Sequence, residues 1–243
     1  MLEASGLGSA AAAPLVPSIL PLPLLDGPAD PHERVEAICA SLHRLSAFEP
    51  SGIICLTGPG EDRETVIEGL RVIGDEAARA GVRVGLEAMN RVGGEDWTMI
   101  TSLPEAVELL DEADRPALGL QFDSWHAWST PDVLDDIERY ADRFVGVHIA
   151  DWREPTRSWA DRVLPGNGVA DLPAILGALD RAGWDSFYDL EIFSDNGTFG
   201  NAWPDSLWDV PAEELARAGK EAFARVWAAR IQSPVDQVSP GAV

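Results

Sequence analysis

The sequence predicts an α/β protein built on a parallel sheet, and three observations favour this fold class. Amphipathic helical segments alternate regularly with short apolar segments along the chain. Those apolar segments are almost continuously hydrophobic, as strands covered on both faces are. The 243 residues, 46% of them hydrophobic, are enough for one large core. We therefore expect a single domain over residues 1–230 and a flexible tail over 231–243.

Each predicted helix has a periodic apolar face. In residues 31–48 (PHERVEAICASLHRLSAF), Val35, Ile38 and Leu42 recur at helical spacing behind an acidic first turn. The next helix, residues 61–81, ends at Gly81. The further helices are predicted at residues 103–114, 131–142, 171–183 and 211–230.

The predicted strands lie between these helices. They are residues 52–56 (GIICL), 82–88 (VRVGLEA), 117–122 (ALGLQF), 144–149 (FVGVHI) and 187–192 (FYDLEI). Regular alternation of strand and helix predicts a parallel sheet with right-handed crossovers. The carboxyl ends of all these strands should then lie on one face of the sheet.

Four residues suited to a divalent metal stand where a predicted strand ends: Glu87, Asp123, His148 and Glu191. Three carboxylates with a single imidazole suit Mn²⁺, Mg²⁺ or Co²⁺ better than a structural zinc site. A metal held in this way can polarise a substrate carbonyl and acidify the neighbouring C–H, which a carboxylate can then deprotonate. Each residue alone has an ordinary interpretation, such as a rim carboxylate, a helix cap or a core histidine. Their recurrence at successive strand ends favours a common site.

The overall charge and the cysteines narrow the possible partners and the compartment. A formal net charge of −23 repels nucleic-acid phosphates and anionic membranes, so neither is an expected partner. Cys39 and Cys55 lie in apolar contexts without CxxC spacing, which indicates free thiols in a reducing compartment, the cytoplasm. Residues 5–25 are apolar but lack a positive leading region and contain four prolines. We interpret them as structural rather than as a signal sequence.

Six motifs in order, LEAMNR, FDSWH, VHIADWR, LPGNG, LEIF and DSLW, resemble the sugar phosphate isomerase/epimerase family with the xylose isomerase-like TIM barrel. The resemblance covers about residues 50–230. It implies a metal-dependent sugar isomerase or epimerase in which Glu87, Asp123, His148 and Glu191 bind one divalent ion. That ion is commonly Mn²⁺, with Mg²⁺, Co²⁺ and Zn²⁺ as alternatives. The resemblance also implies that Glu87 and Glu191 transfer protons through an enediolate.

The same resemblance suggests residues that hold the substrate. It implies that His126 and Arg153 bind substrate oxygens, although Arg153 could instead form a rim salt bridge with Asp151 or Glu154. Asn90 could orient Glu87 or close the site, and Trp125 could pack on the apolar face of a sugar or simply in the core. The acidic balance favours an uncharged sugar, cyclitol or small keto-polyol over a phosphorylated substrate.

The resemblance leaves the barrel incomplete. A full TIM barrel has eight βα units. We take the strand that contains Glu191 as the eighth and number the other strands backward from it. The segment around residues 9–17 (SAAAAPLVP) is then the third strand, so the first two βα units have no counterpart in this chain. We therefore expect a partial or open TIM-type (β/α) barrel of about six strands. Its open edge could be closed by the N-terminal segment or by a second copy of the chain in a homodimer.

Three other functions remain open at this stage. An inosose-type dehydratase would use the same enolisation but expel a hydroxyl group. A catalytically impaired sugar-binding protein could keep the fold without turnover. An apurinic-site endonuclease on the same barrel would need a histidine-rich metal centre and a basic face. Four histidines and a strong negative charge argue against that function.

Overall fold

A computed structural model describes residues 6–92 and 97–230, so the predicted tail lies outside the described residues. The strands, β1 to β8 in chain order, are Ala11–Ala12, Gly52–Cys55, Val84–Glu87, Leu118–Asp123, Phe144–Ile149, Asp151–Trp152, Arg162–Val163 and Asp189–Leu190. The helices, α1 to α7, are Pro31–Leu45, Arg63–Ala80, Leu103–Ala113, Ser124–Ala127, Val133–Tyr140, Leu172–Arg181 and Ala212–Ala229. Short 3₁₀ helices cover Ser46–Phe48, Ala141–Arg143 and Leu207–Asp209.

Six strands form a nearly closed parallel sheet in the order β1-β2-β3-β4-β5-β8, with one unsealed seam. This confirms the predicted α/β fold class, a TIM-type barrel of about six strands. The strand order follows the chain order, as it does when each strand is joined to its neighbour by a right-handed helical crossover. The residues around 9–17 do supply the first strand of this sheet, as the sequence predicts.

The seam lies between two very short strands. β1 and β8 are each two residues long, so the unpaired backbone that they present at the edge is brief, which limits strand-to-strand association. Near their starts the two edges approach each other. A Cβ atom added to Gly8 would lie 3.2 Å from Cζ of Phe187, so the phenyl ring rests against the glycine backbone.

The chain divides into two compact units. The first comprises residues 6–92, 97–127, 143–148 and 186–189 among those described, and it contains β1 to β4, most of β5 and the start of β8. Its core is the apolar interior of these strands, with Ile53, Leu86, Leu120 and Phe122 all buried. The second unit comprises residues 128–142, 149–185 and 190–230 of the described chain, and it includes α5, α6 and α7.

Helix ends follow the signals in the sequence. Asp62 caps α2 by accepting a hydrogen bond from the Thr65 amide, and Gly81 ends the helix in the left-handed conformation at φ +69°. In α3, Ser102 and Glu105 form a reciprocal capping box. Asp171 caps α6 through the Ala174 amide. These side chains satisfy backbone groups that a helix end would otherwise leave unpaired.

Two features differ from the sequence-based expectations. The second unit contains an antiparallel pair, β6 with β7, that the sequence does not predict, because two-residue strands carry no periodicity. The strand predicted over 187–192 is regular only at Asp189–Leu190, so Glu191 follows the strand rather than ending it. Within the described residues, no helix is long and apolar enough to cross a membrane. Cys39 and Cys55 are both free, and burial raises the pKa of the Cys55 thiol to about 12.

Candidate metal centre

Three of the four predicted ligands lie in the first unit, at the carboxyl ends of adjacent long strands. Glu87 is the last residue of β3, Asp123 is the last of β4, and His148 is the next to last of β5. The ladder pairs Asp123 directly with His148. All three side chains are buried, at 6%, 2% and 3% relative exposure. The backbone of the sheet therefore sets the positions of these three residues.

The fourth predicted ligand, Glu191, belongs to the second unit, where an arginine holds it. Its Oε2 accepts a hydrogen bond of 2.8 Å from Nη1 of Arg162. Arg162 is only 3% exposed, and its guanidinium lies 5.1 Å from the centre of the Phe193 ring. The position of Glu191 is thus set by a charged side-chain contact in addition to the backbone.

Glu87, Asp123, His148 and Glu191 come together. Each offers one ligand atom, and these four atoms all lie within 4.8 Å of one another. Counting each carboxylate as −1, the guanidinium as +1 and the imidazole as neutral gives the four residues and Arg162 a formal charge of −2. A divalent cation would balance that charge, and the oxygen-rich donor set suits a hard ion.

Asp123 also makes the local helix-capping contact that its position before a helix allows. Its Oδ1 accepts a hydrogen bond of 2.8 Å from the Trp125 amide, so it does cap the short helix α4. Its other oxygen, Oδ2, lies 3.9 Å from Nε2 of His126, too far for a hydrogen bond. Capping and metal binding are compatible, because one carboxylate has two oxygens.

His126, Asn90 and Trp125 form one interlocked group in the first unit. The backbone N–H of Asn90 donates to Nδ1 of His126 at 3.1 Å, and the side-chain amide of Asn90 donates to the Trp125 carbonyl at 3.0 Å. The Trp125 and Trp97 rings contact the His126 ring edge to face. Since Nδ1 accepts a hydrogen bond, the imidazole carries its proton on Nε2 when neutral. His126 is therefore fixed as a donor at Nε2, and Trp125 is fully buried beside it.

Arg153 lies in a network of ion pairs in the second unit. Its Nε is 2.9 Å from Oδ1 of Asp161, and its Nη2 is 3.1 Å from Oδ2 of Asp205. The alternative of a salt bridge was correct in kind, but the partners are Asp161 and Asp205 rather than Asp151 or Glu154. Arg157 joins the same two carboxylates, and its hydrogen bond lowers the pKa of Asp205.

Asp151 has a structural role that the sequence did not reveal. It is fully buried, and its carboxylate accepts four backbone N–H groups at 2.8–3.0 Å. The donors are Trp152, Gly166, Gly168 and Ala170. A Cβ atom on Gly168 would lie 2.3 Å from the Trp152 carbonyl oxygen, so this glycine is required for the close approach. One carboxylate thus organises the whole LPGNG loop.

Arg162 is the main site residue that the sequence does not reveal. It follows Asp161 and opens the strand β7, which at two residues is too short to show strand periodicity. The available signal was its place two residues before the LPGNG motif. Its importance comes from a contact with Glu191, 29 residues later in the chain, which sequence spacing does not indicate.

The chain belongs to the xylose isomerase-like TIM barrel family. The family model matches residues 25–226, which is most of the chain. This confirms the resemblance that the motifs indicated.

Curated relatives of this chain are enzymes. It is 29% identical over 143 residues to a 3-dehydroshikimate dehydratase from Pseudomonas putida, covering 55% of this chain and 21% of that protein. It is 27% identical over 164 residues to an inosose isomerase from Bacillus licheniformis, covering 66% of this chain and 54% of that protein. The chain thus spans a fifth of the first relative and about half of the second.

Solved structures share the fold. An L-ribulose 3-epimerase superposes with a TM-score of 0.74 at 18% identity, covering 99% of this chain and 82% of that one. The IolI protein, whose crystal structure contains a bound zinc atom, gives a TM-score of 0.71 at 18% identity, covering 91% of this chain and 77% of that one. At such identities the likeness establishes the fold alone.

Proposed function

We propose that this protein is a divalent-metal-dependent isomerase or epimerase of a ketose, aldose or related polyol. The observation that carries the proposal is the convergence of the ligand atoms of Glu87, Asp123, His148 and Glu191 within 4.8 Å. Relatives named inosose isomerase and D-psicose 3-epimerase support the reaction class.

The four converging residues would hold one divalent ion. Their hard, mostly oxygen donor set favours Mn²⁺, with Mg²⁺, Co²⁺ and Zn²⁺ as alternatives. The bound zinc of the IolI protein supports a divalent ion in this fold. When bound, such an ion polarises a carbonyl oxygen and so acidifies the adjacent C–H bond.

Glu87 and Glu191 would carry out the proton transfers. One carboxylate removes the proton from the carbon next to the carbonyl, giving an enediolate of the substrate, and the other returns a proton to the neighbouring carbon or the opposite face. Arg162 orients Oε2 of Glu191, while the buried end of β3 fixes Glu87. Both glutamates are therefore held in place before substrate arrives, which proton transfer requires.

His126, Asn90, Arg153 and Trp125 would bind and orient the substrate. His126 is fixed with its proton on Nε2, so it can donate to a substrate oxygen, and Asn90 and Trp125 hold the imidazole in that orientation. Arg153 could bind a hydroxyl pair only by loosening its contact with the more exposed Asp205. Because two aspartates already neutralise Arg153 and Arg157, an uncharged sugar or cyclitol fits better than a phosphorylated one.

A dehydratase is the second candidate. Elimination of a hydroxyl group needs an acid to protonate the leaving oxygen, and Nε2 of His126 is a donor with a fixed direction. Relatives named inosose dehydratase and 3-dehydroshikimate dehydratase support this outcome. A sugar-binding protein without turnover would bind the same polyols but exchange no protons.

The test is solvent deuterium uptake. Chelator-treated protein reloaded with Mn²⁺ is incubated in D₂O with separate ketoses, aldoses and inososes, and deuterium in recovered substrate and product is measured by mass spectrometry. We expect label at the carbon next to the carbonyl for at least one class, because enolisation precedes either outcome. Loss of water distinguishes a dehydratase. Binding of a polyol without label would contradict both enzymatic candidates.

Glu191→Gln is the diagnostic variant, with Glu213→Gln as the matched control. The amide keeps the shape of Glu191 but cannot accept a proton, so exchange should fall by about 100-fold or more. Glu213 lies on α7 with 90% of its side chain exposed, so its replacement should leave exchange unchanged. Equal exchange in Glu191→Gln and the unmodified protein would remove Glu191 from proton transfer.

Two further proposals concern assembly and compartment. A homodimer could cover the unsealed seam between β1 and β8, although the short edge strands offer little backbone for pairing. Light scattering after size-exclusion chromatography would give the mass, and a monomer at all concentrations would contradict the dimer. A reducing compartment, the cytoplasm, remains a prediction from the two free cysteines.

A further inference from the structure

Gln121 lies beside one of the proposed metal ligands and one layer below two others. It is two residues before Asp123 on β4, and side chains two apart on a strand point to the same face. The ladder pairs its Cα with that of Glu87 on β3 and with that of Gly146 on β5. Paired residues on neighbouring parallel strands also share a face. Gln121 therefore adjoins Glu87 directly and lies one layer beneath Asp123 and His148.

The amide of Gln121 is buried without a partner. The residue is 1% exposed, and neither Oε1 nor Nε2 has a hydrogen-bond partner among the residues described. A buried primary amide can donate two hydrogen bonds and accept two, and leaving all of them unmade is costly. Ordered internal water most often satisfies such groups in folded proteins. The position thus calls for a bound molecule that can both donate and accept.

Gly146 makes the space that this amide occupies, and Gly85 lies against the base of the same side chain. Gly146, two residues before His148, pairs directly with Gln121, and Gly85 stands two residues before Glu87, the β3 residue that pairs with Gln121. A Cβ atom on Gly146 would be 2.2 Å from Oε1 of Gln121, and one on Gly85 would be 3.0 Å from Cβ of Gln121. Bulky branched residues usually fill the interior layers of such barrels. Here Val145 fills the space beside Gly85, its Cγ2 atom 2.5 Å from the added Cβ position, and the polar side chain of Gln121 fills the space beside Gly146.

We propose that the Gln121 amide binds an internal water molecule and, through it, orients the carboxylate of Glu87. A water bound to Oε1 and Nε2 is within reach of Glu87, because paired residues on adjacent strands are about 5 Å apart. Hydrogen bonds of this kind to a metal ligand fix its orientation and raise metal affinity. Gln121 is then a positioning residue of the centre. This inference rests on the metal site of the proposed function.

The variant that tests it is Gln121→Met, which keeps the length and volume but cannot hold water. Calorimetric titration of chelator-treated protein with Mn²⁺ should show affinity lower by about 10- to 100-fold, the range for loss of an outer-shell partner. Thermal unfolding of the metal-free variant should occur at the same or a higher temperature, because a buried polar amide and the water that it orders are together replaced by an apolar side chain of similar shape. A purely space-filling role for Gln121 would leave Mn²⁺ affinity within about twofold, and that result would overturn the inference.

A second variant reaches the same water without changing Gln121. Gly146→Ala places a methyl group where Oε1 now lies, so the amide must move and the water site is lost. Its Mn²⁺ affinity should fall as in Gln121→Met, and combining both changes should add little further loss. Full additivity of the two losses in the double variant would contradict a shared water.

A crystal structure of the unmodified protein at about 1.5 Å resolution provides a test that needs no variant. Density for a water within about 3.2 Å of Oε1 or Nε2 of Gln121 is expected, with or without metal. An empty position would overturn the inference. Failure here differs from failure of the proposed function, because unmodified protein that binds no Mn²⁺ at all contradicts the metal centre itself. Equal Mn²⁺ affinities for the unmodified protein and Gln121→Met contradict this inference alone.

Discussion

The candidate centre has two halves that are held by different forces. In the first unit, Glu87, Asp123 and His148 end or nearly end three strands of four to six residues, and the ladder between these strands sets their spacing. In the second unit, Glu191 follows a strand of two residues, and Arg162 grips its carboxylate. Backbone pairing dominates in one half, and a charged side-chain contact helps to fix the other.

The difference teaches which changes should affect which step. A side chain on a well-paired strand moves little when its neighbours change, so metal affinity should depend mainly on the three ligands of the first unit. Glu191 depends on one arginine for its orientation, and proton transfer is sensitive to small errors in position. Changes around Arg162 should therefore affect exchange more than metal affinity.

Removing a ligand from the strand-held half should have the largest effect. His148→Ala should lower Co²⁺ affinity by more than about 100-fold, beyond the loss expected for an outer-shell partner. Absorption of the Co²⁺-loaded protein reports binding directly. His43→Ala, at an exposed histidine on α1, is the matched control and should bind like the unmodified protein. Similar Co²⁺ spectra and affinities for both variants would contradict the role of His148 as a metal ligand.

Changing Arg162 tests the half of the centre that contains Glu191. Arg162→Met removes the hydrogen bond that orients Oε2 of Glu191, so deuterium exchange should fall by about 10- to 100-fold. Metal affinity should fall less than in His148→Ala. Arg162→Lys keeps the positive charge but lacks the planar guanidinium group, so its deuterium exchange should lie between that of the unmodified protein and that of Arg162→Met. A larger loss of metal affinity than of deuterium exchange in Arg162→Met would contradict the role of Arg162 in orienting Glu191 for proton transfer.

The loop of the second unit should depend on Asp151 for stability. Asp151→Asn replaces an acceptor of four backbone N–H groups with an amide that also brings buried donors. The free energy of unfolding in urea should fall by about 2–4 kcal/mol. Asp180→Asn, at an exposed ion pair with Arg230, should change it by less than about 0.5 kcal/mol. Equal stabilities for these two variants would contradict a stabilising role for the four hydrogen bonds that Asp151 accepts.

Acid should produce the smallest effect. The hydrogen bond from Arg157, together with the charges of Arg157 and Arg153, lowers the pKa of Asp205 below its ordinary 3.8. A depressed pKa in the folded protein stabilises it above pH 3.8, and this contribution is lost as the pH falls through the lower value. Because Asp205 is half exposed, we expect only a few tenths of a kcal/mol. Asp205→Asn should lose correspondingly less stability between about pH 5 and pH 2.5; an identical decline would contradict this contribution.

The sequence predicted the parts of the site that depend on strand order. Long apolar strands with a polar residue at the end reveal both the sheet and the rim, and β3, β4 and β5 therefore appear close to their predicted bounds. It did not predict the roles of Arg162, Asp161 or Asp151, because each lies in or beside a two-residue strand that carries no periodic pattern and acts through a contact outside that strand. Gln121 was hidden for a different reason, since an amide within an apolar strand gives no sign of whether it is paired.

The four converging residues should bind one ion per chain. Chelator-treated protein is titrated with Mn²⁺, and free Mn²⁺ is followed by electron paramagnetic resonance, with Asp123→Asn measured in parallel. We predict one tight Mn²⁺ per unmodified chain and none at the same concentrations in Asp123→Asn. No binding by the unmodified chain, or equal binding by both proteins, would contradict a metal centre at these four residues.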